Sequence, residues 1–339
     1  MALLFQLVKA LLTTAQCNRA RLTGLFLLLL LSLLAGCSSM YFMPMKPWVQ
    51  NPAKQGLAYE DIVLLHPHGR RIHGWWLPAK GSARGTVYFL HGNAQNISTH
   101  LMNVAWLPAA GFNVFLLDYR GYGLSEGKPN LVGAMDDIQL GLDWLRGSGR
   151  STDKPLVVFA QSLGGSMVLP VLTEEKNHGR YDCLMIEAAF SSYRQVVDDI
   201  MASSWLLWPL RPLVVPFQPR KFDAVDVIAS LRAPLLVLHS DEDEVVPFKH
   251  GEQLFAAAAE PKEFQRLHGA HIASLRDPDV RQRLLQFTEQ HCGVSALVTK
   301  PPAETKTSPA QSQTPQLVKP PLVEPIRDPL RGPPNKLSF

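Results

Sequence analysis

The sequence predicts an α/β domain: a mostly parallel, twisted sheet of about eight strands, with helices on both faces and a small cap. Two observations carry this. Short, nearly continuous apolar runs at 85–90, 113–118, 156–160, 183–187 and 234–239 alternate with helix-like stretches. Strands apolar on both faces belong in a sheet covered from both sides. The residues suited to chemistry also fall just past the carboxyl ends of those runs, where such sheets gather their sites.

At the N-terminus, Arg19 and Arg21 precede an apolar run that closes in Leu34-Ala35-Gly36-Cys37. A basic n-region, an apolar stretch short for a stable span and a small-residue cleavage site read as a signal peptide over 1–36. The last four residues resemble the bacterial lipoprotein box, which implies lipidation of Cys37. An uncleaved anchor is the alternative, because residues 3–15 add apolar length. Ser38 and Ser39 follow, without the aspartate that retains such lipoproteins at the inner membrane. The expected place is therefore the cell envelope, at the outer membrane facing the periplasm, with 37–56 as a lipid-anchored linker. Cleavage removes Lys9, Arg19 and Arg21 and no acid, so the formal charge falls from +4 to +1. No nucleic-acid signature is visible.

Residues 57–293 form the expected catalytic domain. Runs 60–65 and 71–78 read as an opening antiparallel pair around a Pro67-His68-Gly69 turn. His66, His68 and His73 cluster there, but no carboxylate or cysteine joins them, so an exposed hairpin is expected rather than a metal site. The run at 156–160 leads into Ala160-Gln161-Ser162-Leu163-Gly164 and directly on into an apolar helix. A serine on a sharp strand-to-helix turn presents its hydroxyl clear of the sheet, beside the helix N-terminal amides. Ser162 is the expected nucleophile. Gly123-Leu124-Ser125-Glu126-Gly127 fits the G-x-S-x-G pattern letter for letter, but polar loop precedes it and no helix starts behind it.

Between Phe190 and Phe222 lies an insertion rich in bulky apolar residues, including Trp205 and Trp208. It is the expected cap, about 191–222, and reads as an apolar wall for an acyl or aromatic group, a surface resting on lipid, or ordinary helix packing. Once Cys17 is removed and Cys37 lipidated, Cys183 and Cys292 remain. A bridge is open to them in the periplasm, but Cys183 reads as a strand-core residue and two cysteines do not make a framework, so free thiols are favoured. The segment 294–339 is the expected tail. Ten prolines between Lys300 and Phe339 point to a disordered stretch, solvated or reaching a cell-envelope partner.

The set HGNAQN, DYRGYGLSEG, AQSLGGS, EAAFSSY, HSDEDEVVP and GAH resembles the α/β-hydrolase superfamily of serine hydrolases, close to the membrane-associated hydrolases grouped with the bud-emergence-type proteins. The likeness spans about 57–292. The departure is Ala160 for the first elbow glycine, which is still small enough for the turn.

The resemblance to H-G-x-x-D-x-x-V-P places the acid at Asp243, with Asp241 and Glu187 as alternatives. His271, in a small-residue loop after a strand-like segment, is the expected base, with His268 as competitor. A histidine must take the serine proton while a carboxylate holds its tautomer. The backbone amides of Leu163 and Asn93 are the expected oxyanion donors. The chemistry implied is cofactor-free and metal-free acyl transfer, on a small-molecule acyl ester, thioester or lipid-like substrate. A peptidase or amidase of the same fold, or a non-catalytic envelope binding protein, are the rivals.

Overall fold

Strands β4 (Gly85–Leu90), β7 (Leu156–Gln161), β8 (Cys183–Glu187) and β9 (Leu235–Ser240) are buried at every position. They form the centre of the sheet, as their unbroken apolar runs require. The computed structural model describes residues 41–151 and 153–296. The signal segment, Cys37 and the Pro-rich stretch from 300 lie outside the described residues.

The remaining strands are β1 (Met43–Pro44), β2 (Glu60–Leu65), β3 (Arg71–Leu77), β5 (Ala94–Gln95), β6 (Phe112–Leu117) and β10 (Lys262–Leu267). Eight strands join in the order β10-β9-β8-β7-β4-β6-β3-β2. The β2–β3 and β3–β6 pairs are antiparallel and the other five are parallel. The edges are the least apolar: β2 alternates exposed and buried positions, and β10 buries only Leu267.

Among the described residues, the helices longer than four residues are α1 (Ile97–Val104), α2 (Leu131–Gly147), α3 (Leu163–Leu172), α4 (Tyr193–Ser203), α5 (Lys249–Ala257) and α6 (Pro278–His291). One apolar layer packs α2 and α3 on the sheet through Ile138, Leu142, Met167 and Leu169. The opposite layer packs α1 and α6 through Ile97, Leu101, Leu284 and Phe287.

The structure corrects the sequence reading at four places. Residues 41–56 are no linker. Tyr41, Phe42 and Trp48 are buried, and β1 pairs in parallel with β5. The packed chain also extends past 293, because Val294 is buried and its amide donates to Thr288 O.

In the β2–β3 hairpin, His66 and His73 are buried, and a carboxylate does join one of them: His73 Nε2 lies 2.8 Å from Asp61 Oδ1. The register that sets Asp61 opposite Trp75 brings it within reach.

Cys183 and Cys292 are joined by a disulfide, with Cα atoms 5.3 Å apart and a sequence separation of 109. The first opens β8 and the second follows α6, so only the tertiary fold makes them neighbours.

Candidate active site

Ser162 sits between β7 and α3 with φ 52° and ψ −120°, a conformation that side chains rarely adopt and that strand-to-helix elbows impose. Gly164 shows why the elbow needs small residues: a Cβ there would lie 2.6 Å from His91 O and 2.7 Å from Leu90 O. At the first elbow position, Ala160 is fully buried near the end of β7. Ser162 N donates to Glu187 O at 2.8 Å, tying the turn to the end of β8.

The structure brings Ser162, His271 and Asp243 together. His271 Nε2 lies 3.0 Å from Ser162 Oγ, and its Nδ1 lies 2.7 Å from Asp243 Oδ2. The other oxygen, Asp243 Oδ1, accepts from the amides of Val245 and Val246, both at 2.8 Å. Burial works against the Asp243 carboxylate, but the His271 contact and the two amides outweigh it and hold its pKa below the ordinary value. A fixed carboxylate on Nδ1 leaves Nε2 free to accept the serine proton.

The loop after β4 stands against the nucleophile: a Cβ on Gly92 would lie 3.4 Å from Ser162 Cβ. His91 Nδ1 lies 2.7 Å from Gly92 O. That bond fixes the peptide plane whose opposite edge is the Asn93 N–H. Asn93 O accepts from Met43 N at 2.9 Å and from Tyr122 OH at 2.5 Å. The Leu163 amide opens α3 and has no partner in the helical ladder. Sequence reasoning missed the strut formed by β1. Asn96 shapes this loop: it caps α1 by accepting from Ser98 N, and its Nδ2 donates to Met45 O and Pro47 O.

The competitors lie elsewhere. His268 is exposed, with Nδ1 2.8 Å from Asp241 Oδ1. Asp241 also accepts from Arg266 Nε, and Glu242 accepts from Gly269 N. Ligand atoms of Asp241, Glu242 and His268 fall within 4.8 Å of one another, but these existing bonds account for that grouping. Ser125 is buried in a loop, where its Oγ donates to Asp118 O and accepts from His73 N.

Glu187 spends its carboxylate on partners other than His271. It accepts from Gln161 Nε2 at 2.6 Å and from Ser274 Oγ, and Gln161 Oε1 accepts from Asn103 Nδ2 at 2.7 Å. Burial pushes its carboxyl pKa up. This network joins the residue before the nucleophile to the loop that carries His271.

A second serine–histidine–aspartate set was not foreseen: Ser191 Oγ lies 2.8 Å from His250 Nδ1, and His250 Nε2 lies 3.1 Å from Asp199 Oδ2. Ser191 and His250 are buried and the serine is on no elbow, so the set fastens α4 to α5. Burial holds the His250 imidazole below its ordinary pKa although Asp199 opposes this.

His100 backs the loop after β4, its ring stacked 5.3 Å from His91. Burial, aided by His91, lowers its pKa to about 3, whereas an unfolded chain protonates histidine near about 6.5. Between those values the unfolded state binds the extra proton, so stability rises with pH and is lost as pH falls. Urea unfolding across that window is expected to show His100→Gln flattening the slope by up to about 1.4 kcal/mol per pH unit. An unchanged slope would assign the acid sensitivity to another group.

A mainly parallel eight-stranded sheet with its serine on the strand-to-helix elbow, and later loops supplying histidine and aspartate, is the arrangement of an α/β-hydrolase. Among solved structures, the chain is similar to the Pyrococcus furiosus esterase Pf2001, with a TM-score of 0.61 and 21% identity over 74% of this chain and 100% of that one. A Mycobacterium tuberculosis puromycin-hydrolyzing peptidase matches with a TM-score of 0.52 and 16% identity over 70% of this chain and 40% of that one. These likenesses establish the fold.

The chain belongs to the hydrolase family described as "Serine aminopeptidase, S33", whose profile matches residues 81–226. It is 32% identical to the protein YfhR of Escherichia coli K12 over 237 residues, which cover 67% of this chain and 80% of YfhR. It is 35% identical to the α/β-hydrolase domain-containing protein WAV2 of Arabidopsis thaliana over 63% of this chain and 71% of that one. The protein bem46 of Schizosaccharomyces pombe matches at 28% over 59% and 65%.

Proposed function

We propose that this protein is a membrane-anchored serine hydrolase that cleaves carboxylic esters or thioesters through an acyl-enzyme. The observation that carries the reading is the unbroken chain of contacts Ser162 Oγ–His271 Nε2–Asp243 Oδ2, at 3.0 and 2.7 Å. His271 takes the hydroxyl proton as Ser162 Oγ bonds to the acyl carbon, and the Leu163 and Asn93 amides receive the oxyanion. The same proton passes to the leaving alkoxide or thiolate, and the acyl group stays on Ser162. Water, deprotonated by His271, then attacks the acyl carbon, and the acid leaves as His271 returns that proton to Ser162 Oγ.

The family description names an aminopeptidase, and the fold serves both chemistries. Recognition of a free α-ammonium calls for carboxylates near the site. The cap supports the ester reading, because its two acids are already engaged, Asp198 with Arg211 and Asp199 with Lys249 and His250. The arginines before the apolar run and the box ending in Cys37 support export and lipid anchoring, at the outer membrane facing the periplasm. The Cys183–Cys292 bridge suits that oxidising compartment.

Incubation of the full chain with a fluorophosphonate, followed by peptide mass spectrometry, is expected to give one adduct, on Ser162. Acyl esters of graded length are expected to turn over faster than the matching aminoacyl anilides. Folded protein without an adduct would return the fold to a binding role, and faster anilide cleavage would make it a peptidase.

A further inference from the structure

The cap presents a face that the fold leaves uncovered. Trp205 is 88% exposed, Leu206 65% and Trp208 58%, and Leu210, Leu213 and Phe217 are each about half exposed. The face is built rather than slack: Pro209, Pro212 and Pro216 each open a short helical turn, and Arg211 clamps Asp198 through two bonds of 2.7 Å. A patch of this size on a single chain marks a contact surface.

Two observations identify what it contacts. The first is where the N-terminus leaves the domain. Tyr41, the first described residue, packs edge-on against Tyr193 at 5.0 Å, and its hydroxyl bonds Gln218, the residue next to Phe217. Cys37 precedes Tyr41 by four positions, which span at most about 14 Å of extended chain. An anchor at Cys37, or in the leucine run just before it, therefore tethers the cap beside the membrane. The second is charge. With Arg211 paired to Asp198, the exposed Arg220 and Lys221 remain, the sign that anionic headgroups attract, while tryptophan favours the headgroup level.

We propose that the face formed by residues 205–217 rests in the headgroup region of the bilayer that anchors the chain, so that the enzyme lies cap-down on lipid. One lipid chain alone holds a protein weakly and reversibly, and a second contact of this kind makes attachment stable. Because β1 follows Tyr41 directly and supports the loop carrying Asn93, the docked segment and the oxyanion loop form one continuous stretch of chain. The inference rests on the anchoring half of the proposed function and not on its chemistry.

The test uses the full chain in vesicles of phosphatidylethanolamine and phosphatidylglycerol whose acyl chains carry bromine close to the headgroups. Bromine quenches tryptophan only on contact. Of the other five tryptophans, Trp48, Trp75 and Trp76 are buried and Trp106 and Trp144 are partly buried against the two core layers, so the Trp205→Phe/Trp208→Phe protein is expected to lose most of the bromine-dependent quenching. Leu206→Glu/Leu213→Glu, which keeps both tryptophans, is expected to lose it as well by expelling the face from the interface. Equal fractional quenching in all three proteins overturns the docking. Flotation with the vesicles reads the anchor separately: a chain that floats without quenching keeps the anchor and overturns the docking, and one that does not float overturns both. Cross-linking of two copies through this face, with no quenching, makes a second chain the occupant and also overturns the proposal.

Discussion

Ser162→Ala is expected to lower kcat on esters by on the order of 10⁶-fold and to abolish fluorophosphonate labelling. The residual rate, about 10³ above water, would come from the oxyanion amides and binding alone. The loss is not attributable to unfolding. Alanine keeps the same Cβ, so the elbow at φ 52° is no more strained than before, and the hydrogen bond removed is the one to His271. Ser125→Ala provides the contrast. It deletes the hydroxyl that links Asp118 O to His73 N and is expected to cost about 1–3 kcal/mol of stability while labelling persists. Labelling that survives Ser162→Ala and vanishes in folded Ser125→Ala would sink the choice of elbow.

Asp243→Asn is expected to cost roughly 10⁴-fold in kcat, for a reason legible in the hydrogen bonds. The amides of Val245 and Val246 both point at Oδ1, so an asparagine must keep its oxygen there and turn its NH₂ towards His271. That NH₂ makes Nδ1 an acceptor and moves the ring proton to Nε2, facing Ser162, where it blocks proton transfer. Glu187→Gln offers the counter-test, because its carboxylate already serves Gln161 and Ser274. Stopped-assay kinetics on a soluble ester should show Asp243→Asn losing far more than Glu187→Gln; the reverse ranking would transfer the acid role to the earlier strand.

The parts of the site that depend on neighbours in sequence were the easiest to read. Ser162, Leu163 and Gly164 lie on one turn, and the composition of that turn dictates its shape. His271 could be placed because strand ends in a parallel sheet converge, so order along the chain carries spatial meaning, whereas Asp243 was picked from the neighbouring acids by the resemblance to H-G-x-x-D-x-x-V-P. The sheet itself was legible for the same reason, from unbroken apolar runs at its centre.

What escaped depends on contacts between distant segments. Residues 41–56 carry three aromatic residues in no helix or strand periodicity that would mark them as packed, yet Trp48 packs against Trp75 at 5.0 Å. The hairpin histidines seemed to lack a carboxylate because Asp61 meets His73 only across the register. Ser274, at the start of a short 3-10 turn, and Asn103, in the last turn of α1, bond Glu187 and Gln161 with no motif to mark them.

The disulfide also has a topological consequence. Cys183 and Cys292 enclose the cap, Asp243 and His271 within one covalent loop and leave Ser162 outside it. A single proteolytic cut anywhere in that loop, including the protruding turn at Trp205, opens the ring without releasing a fragment. Both pieces stay joined through sulfur, so the acid and base of a nicked molecule travel with its nucleophile.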